Sequence, residues 1–259
     1  MSEKQEMIKR LMCDAKTPEE AKRHVVLCNR IMANEGILCS LGHVSCRNPD
    51  NPETFFISCS RSPEFVTVDD IMEVAALDGA IVQSKEGQKP YSERVLHGAI
   101  YSVRKDVNAV YHGHPLPVVP FTTCKDKPLL PVMMYGSIFY DGYGYFDDAD
   151  VSNGMLVRTM EEGVRVARAL GNKYACLLRG HGLVVVAENI PQLMIDSIWL
   201  INNAKVQIDC EAIGGTPKLC TWEEGYALRE ALHGENALTR IWDYHLGRAK
   251  KTFPDIVNL

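Results

Sequence analysis

The hydrophobic pattern of the chain changes repeatedly between helical and strand periods, which predicts an α/β protein. Apolar residues recur every three or four positions in some segments, and short β-branched runs lie between them. The predicted helices cover residues 17–34, 68–72, 93–104, 151–170, 191–213, 222–232 and 236–250. The predicted strands cover residues 40–47, 54–58, 74–77, 80–82, 107–112, 128–134, 175–178 and 183–187. Because several strands follow one another in hairpins, we expect a mixed, largely antiparallel sheet between helices and no doubly wound parallel sheet.

Local signals define several ends of these elements. Thr17-Pro18-Glu19-Glu20 combines a helix cap, a first-turn proline and a capping box, and Gly36 terminates the same helix. Ser92 is the candidate cap of the next long helix. The Asp78-Gly79 turn predicts a tight hairpin. Residues 135–148, rich in glycine, tyrosine and aspartate, form either a loop that covers a pocket or a long surface excursion.

Two histidines at the end of an apolar strand are the first candidate functional residues. In the run Tyr111-His112-Gly113-His114, both imidazoles leave the strand by the same face, because alternate residues of a strand share a face. Two imidazoles in this arrangement can share one divalent ion. The same pair is also typical of a polar strand end, so it does not establish a metal site by itself.

Two further features favour a metal site. Glu93 begins the helix before this strand, and an antiparallel helix-turn-strand return, about 16 Å in each direction, brings it back to His112. His181 stands between two glycines where an apolar strand pair is interrupted, and glycines there let the backbone approach a site closely. Three neutral imidazoles and one carboxylate suit zinc, with manganese, iron or cobalt as alternatives. The predicted ligands of one divalent ion per chain are His112, His114, His181 and Glu93.

Composition limits the class of function. The 259 residues are 46% hydrophobic and 24% charged, which is ordinary for a soluble globular protein with a substantial core. No linker, repeat or low-complexity run divides the chain, so we expect a single domain over residues 1–259, with C-terminal helices from about residue 221. A net charge of −5 without a basic cluster argues against nucleic-acid binding. The lack of an apolar signal core or membrane span predicts a cytoplasmic protein with no membrane partner.

The nine cysteines are an odd number, are spread along the chain and include no Cys-x-x-Cys pair. Those on apolar stretches, such as Cys28 and Cys176, are therefore expected to be reduced core residues and not disulfides or metal ligands. A reducing compartment fits this expectation.

With these residues in hand, the chain resembles the class II aldolase/adducin family over about residues 17–215. The resemblance rests on three segments, Ser92-Glu93, Asn108-Ala109-Val110-Tyr111-His112-Gly113-His114 and Arg179-Gly180-His181-Gly182-Leu183. It implies that the three histidines bind zinc and that Glu93 is the catalytic base and can be the fourth ligand. It also implies a three-layer α/β/α sandwich and a homotetramer of fourfold symmetry with sites at subunit contacts.

The segments that hold the substrate phosphate in the sugar-phosphate aldolases of this family are altered. Those aldolases carry an asparagine after the glycine of the Gly42 loop, a Thr-Gly pair in a second loop and two serines before the acid. Here these places read His43, Ser60-Arg61 and Tyr91-Ser92. Arg61 and His43 could bind a planar carboxylate or phenolate, because a guanidinium group matches a carboxylate bidentately. The alternative interpretation is that Arg61 is an ordinary surface arginine and that His43 is a polar histidine at the edge of a strand.

The altered loops also resemble a subgroup of the family that decarboxylates hydroxylated aromatic acids. We therefore expect a metal-dependent carbon–carbon lyase that decarboxylates a hydroxylated aromatic carboxylic acid, with Glu93 as catalytic residue and His43, Arg61 and Ser92 as substrate-binding residues. The first alternative is a class II aldolase acting on a hydroxyketone–aldehyde adduct, sugar phosphates included. The second is a non-catalytic, adducin-like interaction module. His97, four residues after Glu93, either orients Glu93 or packs in the core.

Overall fold

Eight strands form one sheet at the centre of the computed structural model, which describes residues 15–259. The strands are β1 His43–Arg47, β2 Thr54–Ser58, β3 Ile71–Ala75, β4 Ile81–Gln83, β5 Ala109–Gly113, β6 Gly144–Phe146, β7 Ala175–Leu178 and β8 Gly182–Ala187. Their order across the sheet is β4-β3-β2-β1-β5-β8-β7-β6. Only β6 and β7 pair in parallel, and the other described neighbours are antiparallel. The prediction of a mixed, largely antiparallel sheet is confirmed.

Helices cover both faces of this sheet. They are α1 Pro18–Asn34, α2 Arg94–Val103, α3 Val119–Thr123, α4 Met160–Leu170, α5 Ile190–Ala212, α6 Trp222–Leu232 and α7 Glu235–Thr252. Alternate residues of β8 enter different cores, since neighbouring side chains of a strand point to opposite faces. Leu183 and Val185 pack with α1, α5 and α7, whereas Val184 and Val186 pack with α2 and α4. The fold is therefore the three-layer α/β/α sandwich that the family resemblance implies.

The register of the central strands brings the candidate residues to one end of the sheet. His43 of β1 lies opposite His112 of β5, and β5 pairs with β8 on its other side. The turn between β7 and β8 carries His181. A Cβ atom on Gly182 would lie 2.2 Å from the Gly113 carbonyl oxygen, so the close approach of these backbones requires glycine at this position.

Residues 128–134 do not form the predicted strand. The side chain of Gln207 accepts a hydrogen bond from the Leu130 N–H, and that of Asn203 accepts from the Val132 and Met133 N–H groups. The backbone groups that a strand would pair are thus satisfied by amide side chains of α5. A 3₁₀ turn, Met134–Phe139, follows this segment.

The predicted helix over residues 151–170 begins only at Met160. Gly154 and Met155 adopt positive φ angles of 66° and 65°, which a continuous helix cannot contain. Thr159 then starts α4 with a capping box to Glu162. The predicted loop over residues 135–148 also contains a strand, β6, whose three residues gave too short a pattern to detect.

Two smaller predictions also need correction. Residues 68–72 are a 3₁₀ turn, Val68–Asp70, that leads directly into β3, so the predicted helix there is wrong. Ser92 is exposed and does not cap α2, because the helix begins at Arg94 with Glu93 in the cap position and without a side-chain cap hydrogen bond. By contrast, Thr17 caps α1 through the N–H of Glu20 as predicted.

The buried cysteines Cys28 and Cys176 lie in the two hydrophobic cores, as predicted, while Cys13 lies outside the described residues. Among the helices of residues 15–259, none has the length and apolar character that crossing a membrane requires.

Candidate metal and substrate site

Three histidines and one glutamate meet beyond the end of β5. One ligand atom from each of Glu93, His112, His114 and His181 lies within 4.8 Å of all the others. The Nε2 atoms of His112 and His114 are 3.2 Å apart, and His112 Nε2 lies 3.4 Å from Glu93 Oε2. His181 Nε2 is 3.7 Å from Glu93 Oε1. Two ligands of a tetrahedral zinc ion at normal bond lengths lie about 3.3 Å apart. The spacing of these four side chains therefore fits a shared divalent cation.

Backbone groups orient the ligand atoms of this cluster. The Leu183 carbonyl oxygen accepts a hydrogen bond from His112 Nδ1 at 3.0 Å, so Nε2 is the ring nitrogen that faces the cluster. The Val157 N–H donates to Glu93 Oε1 at 3.1 Å. His181 Nε2 is buried and has no hydrogen-bond partner within residues 15–259. A buried polar atom without a partner is costly, and a metal ion would satisfy this one.

Burial keeps the imidazoles of His114 and His181 neutral. Desolvation first, and then the neighbouring His112, lower the pKa of His114 and of His181 to about 4. Burial acts to raise the pKa of Glu93, but the surrounding imidazoles, His112 foremost, outweigh it and hold that carboxyl pKa below its ordinary range. Neutral imidazoles and an ionised carboxylate are the forms that bind divalent metals.

A cavity of about 300 Å³ lies beside the cluster. All three residues predicted to bind substrate line it, His43, Arg61 and Ser92, and so do Glu93 and His114. A pocket of this size is at the lower limit of small-molecule sites. The structure thus brings the candidate metal ligands and the candidate substrate-binding residues into one place.

Arg61 is held at the rim of this cavity. Its side chain is 48% exposed, and its guanidinium group pairs with Asp70, with 3.3 Å between NH1 and Oδ1. The Tyr91 hydroxyl donates to the Arg61 carbonyl oxygen, and the Arg61 N–H lies 3.3 Å from the same hydroxyl. Asp70 is the single partner of the Arg61 guanidinium group in the described part of the chain, which leaves most of its five N–H donors available to a ligand.

His43 is the end of a buried hydrogen-bonded chain that the sequence did not reveal. His43 Nδ1 lies 2.8 Å from His97 Nε2, and His97 Nδ1 lies 2.7 Å from Ser45 Oγ. Ser45 Oγ in turn lies 2.8 Å from the Tyr101 hydroxyl. Both ring nitrogens of His97 are used in these bonds, so neither is left to orient Glu93. Of its two predicted roles, packing in the core is the observed one, since His97 is 0% exposed. The signals were present, since Ser45 shares a strand face with His43, and Tyr101 shares a helix face with His97.

Residues 135–148 do not cover this cavity. Tyr135 stacks on Trp199, and Tyr143 and Tyr145 line a separate cavity of about 450 Å³. Leu156, from the segment that was wrongly predicted as helix, lines the cavity of the candidate site next to Val157, whose N–H donates to Glu93.

Comparison with known proteins establishes the family. The model of the Class II Aldolase and Adducin N-terminal domain matches residues 23–208, about the range of the resemblance found in the sequence. The chain belongs to the class II aldolase and adducin family. The predicted membership is confirmed, and the cluster at the end of β5 lies in the family's domain.

Relatives within the class II aldolase and adducin family have different activities. A decarboxylase named tropJ from Talaromyces stipitatus is 27% identical over 191 residues, which cover 68% of this chain and 71% of that protein. A 3,4-dihydroxyphthalate decarboxylase from Arthrobacter keyseri is 28% identical, with coverage of 76% and 82%. An L-fuculose phosphate aldolase from Methanocaldococcus jannaschii is 26% identical, with coverage of 73% and 96%.

Solved structures of the family share the fold. An L-fuculose 1-phosphate aldolase from Glaciozyma antarctica superposes with a TM-score of 0.76 at 24% identity, covering 92% of this chain and 91% of that one. An aldolase II superfamily protein from Pseudomonas syringae gives 0.80 at 22% identity, covering 93% and 96%. At these identities the agreement concerns architecture.

Proposed function

We propose that this protein is a divalent-metal-dependent lyase that decarboxylates a hydroxylated aromatic carboxylic acid. The observation that carries the proposal is the cavity in which Arg61 and His43 line the wall beside the cluster of Glu93, His112, His114 and His181. The relatives named as decarboxylases, including 3,4-dihydroxyphthalate decarboxylase, support the same reaction class.

Arg61 would bind a carboxylate of the substrate. Its guanidinium group is anchored on one side by Asp70, so the opposite N–H edge is already oriented when an acid enters. The Tyr91 ring lies against His43, with 4.5 Å between ring centroids, and its hydroxyl holds the Arg61 backbone. One tyrosine thus sets the relative position of the two proposed substrate-binding side chains.

Glu93 would move the proton that replaces the carboxyl group. Because its pKa is held below the ordinary range, the carboxylate is ionised at neutral pH and must first take a proton from the substrate hydroxyl. Carbon dioxide leaves with cleavage of the bond to the ring, and the electron pair stays on the ring. Glu93 then gives its proton to that ring carbon, and solvent reprotonates the phenolate oxygen. A divalent cation, when bound, supplies Lewis-acid stabilisation of the negative charge that develops on the substrate.

Zinc is the metal we propose, because three imidazoles and a carboxylate are a ligand set that zinc accepts, with manganese, iron or cobalt as alternatives. We also propose a cytoplasmic homotetramer. Exposed apolar side chains support a subunit contact near the site, since Leu41, which lines the cavity, is 67% exposed and Leu116, two residues after His114, is 81% exposed. The proposed cytoplasmic location rests on the cysteines, which are odd in number and scattered along the chain.

A class II aldolase is the second candidate. The same four-residue cluster would serve aldol chemistry, and relatives named L-fuculose phosphate aldolase favour it. In this reaction Glu93 would remove a proton from a bound hydroxyketone. A non-catalytic, adducin-like role is less well supported, because it gives no reason for a buried His181 Nε2 that lacks a partner in residues 15–259.

Product analysis of the zinc-loaded protein separates these functions. The substrates would be 3,4-dihydroxyphthalate, 2,3-dihydroxybenzoate and L-fuculose 1-phosphate. We expect carbon dioxide release from at least one of the aromatic acids and no aldehyde from the sugar phosphate. Aldehyde formation without carbon dioxide release would assign the aldolase reaction. Neither product from a metal-replete protein would favour the interaction module.

A further inference from the structure

A buried row of hydrogen bonds joins Tyr101, Ser45, His97 and His43. Tyr101, at one end, determines which atom donates in each of these bonds. Tyr101 is 0% exposed, and within residues 15–259 its hydroxyl contacts Ser45 Oγ and the backbone N–H of Val110, of which only Ser45 Oγ can accept a proton. A phenol carries one proton, and leaving it buried without an acceptor costs the desolvation of the group. The Tyr101 hydroxyl therefore donates to Ser45 Oγ. If Ser45 donated instead, the Tyr101 proton would be buried without an acceptor.

Each following step is determined by the one before it. Because Ser45 Oγ accepts from Tyr101, its own proton goes to its second partner, His97 Nδ1, at 2.7 Å. A neutral imidazole that accepts at Nδ1 carries its proton at Nε2. His97 Nε2 therefore donates to His43 Nδ1 at 2.8 Å, and His43 carries its proton on Nε2.

We propose that Tyr101, Ser45 and His97 are positioning residues that hold His43 as its Nε2–H tautomer, a fixed donor to an anionic oxygen of the substrate. The position of His43 places this donor at the cavity, because His43 is one of the residues that line it. The assignment of the oxygen to the substrate rests on the proposed function, whereas the tautomer does not.

The same tautomer explains why His43 stands apart from the metal cluster. Its ring centroid is only 5.2 Å from that of His112, yet no atom of His43 joins the four-residue ligand set. An imidazole nitrogen that carries a proton has no lone pair for a metal. The chain from Tyr101 thus makes His43 a substrate donor and keeps it from competing as a fourth imidazole ligand.

Nitrogen NMR of the intact protein tests the tautomer directly. Solid-state spectra of zinc-loaded protein with ¹³C,¹⁵N-labelled histidine distinguish protonated from unprotonated Nδ1 and Nε2, and the spectrum of His43→Gln identifies the His43 signals. We expect a protonated Nε2 and an unprotonated Nδ1 at His43. A protonated Nδ1 in the unaltered protein would overturn the proposal, whatever reaction the protein catalyses.

Variants test whether the donor matters for binding. Tyr101→Phe removes the group that sets the direction, so a signal of protonated His43 Nδ1 should appear. Ser45→Ala should weaken binding of the probe 3,4-dihydroxybenzoate about tenfold, measured by calorimetry at unchanged zinc content. Ser102→Ala is the control, since that hydroxyl donates to the Ala76 carbonyl oxygen, outside the chain. Equal affinities for the Ser45 and Ser102 variants would contradict the role of His43 as substrate donor.

Discussion

At the scale of single residues, Arg61 should determine whether the cavity prefers anionic ligands. The Arg61→Ala variant should raise KM for aromatic dianions by about 10- to 100-fold, because a hydrogen bond to a charged group contributes about 1.5–3 kcal/mol. Neutral hydroxylated ligands should lose little affinity. Steady-state kinetics with acids and binding of neutral phenols would measure both effects.

Arg165→Ala is the matched control for this prediction. Arg165 also pairs with a neighbouring carboxylate, Asp148, at 2.9 Å, but it does not line the cavity. If both arginine variants changed acid and neutral ligands equally, Arg61 would have no part in binding the substrate carboxylate.

The candidate ligands could be predicted residue by residue, whereas their supporting contacts could not. Strand alternation and helix length brought His112, His114 and Glu93 together from sequence spacing alone. The hydrogen bond from the Val157 N–H to Glu93 was not predictable, because Val157 lies in the irregular segment before α4, whose apolar residues mimicked a helical period. Tertiary hydrogen bonds of this kind leave no periodic signal.

At the scale of elements, the packing of α2 against α4 supports the site, because Glu93 is the N-cap residue of α2. A Cβ atom on Gly163 of α4 would lie 2.8 Å from the Val95 carbonyl oxygen of α2. The Gly163→Ala variant should therefore lose about 1–3 kcal/mol of unfolding free energy through overpacking. Urea denaturation would measure the loss.

Gly247→Ala in α7 is the control, because a Cβ atom there meets nothing within 4 Å. That variant should gain up to about 1 kcal/mol from the higher helix propensity of alanine. If the Gly163→Ala protein were as stable as the Gly247→Ala protein, α2 and α4 could accommodate the added methyl group without losing stability, and the prediction would be wrong.

The elements that the sequence predicted well are those whose burial is periodic. Strand β8, buried on both faces, and the capped helix α1 gave clear patterns. Residues 128–134 looked like a strand because they are apolar, but their backbone is paired with Asn203 and Gln207. An amide side chain that replaces a neighbouring strand cannot be inferred from the apolar segment itself.

For the whole molecule, the proposed tetramer should give a mass of four chains of 29.0 kDa, or 116 kDa, by native mass spectrometry. Leu116→Glu should reduce the tetramer fraction, since this 81% exposed side chain lies two residues beyond His114. Leu77→Glu, which alters a 78% exposed residue in the β3–β4 turn, should not. A monomeric protein, or equal effects of the two variants, would contradict a subunit contact at the site.

Metal content per chain tests the shared cation most directly. Purified protein, replenished with zinc and then desalted, should hold close to one divalent ion per chain. His181→Ala should hold far less and should lose carbon dioxide release, because it removes one of three imidazole ligands. His233→Gln, at a histidine that instead contacts Asp196 at 2.8 Å, should keep both. An unaltered protein without stoichiometric metal, or a His181→Ala protein that retains it, would contradict a cation held by these four side chains.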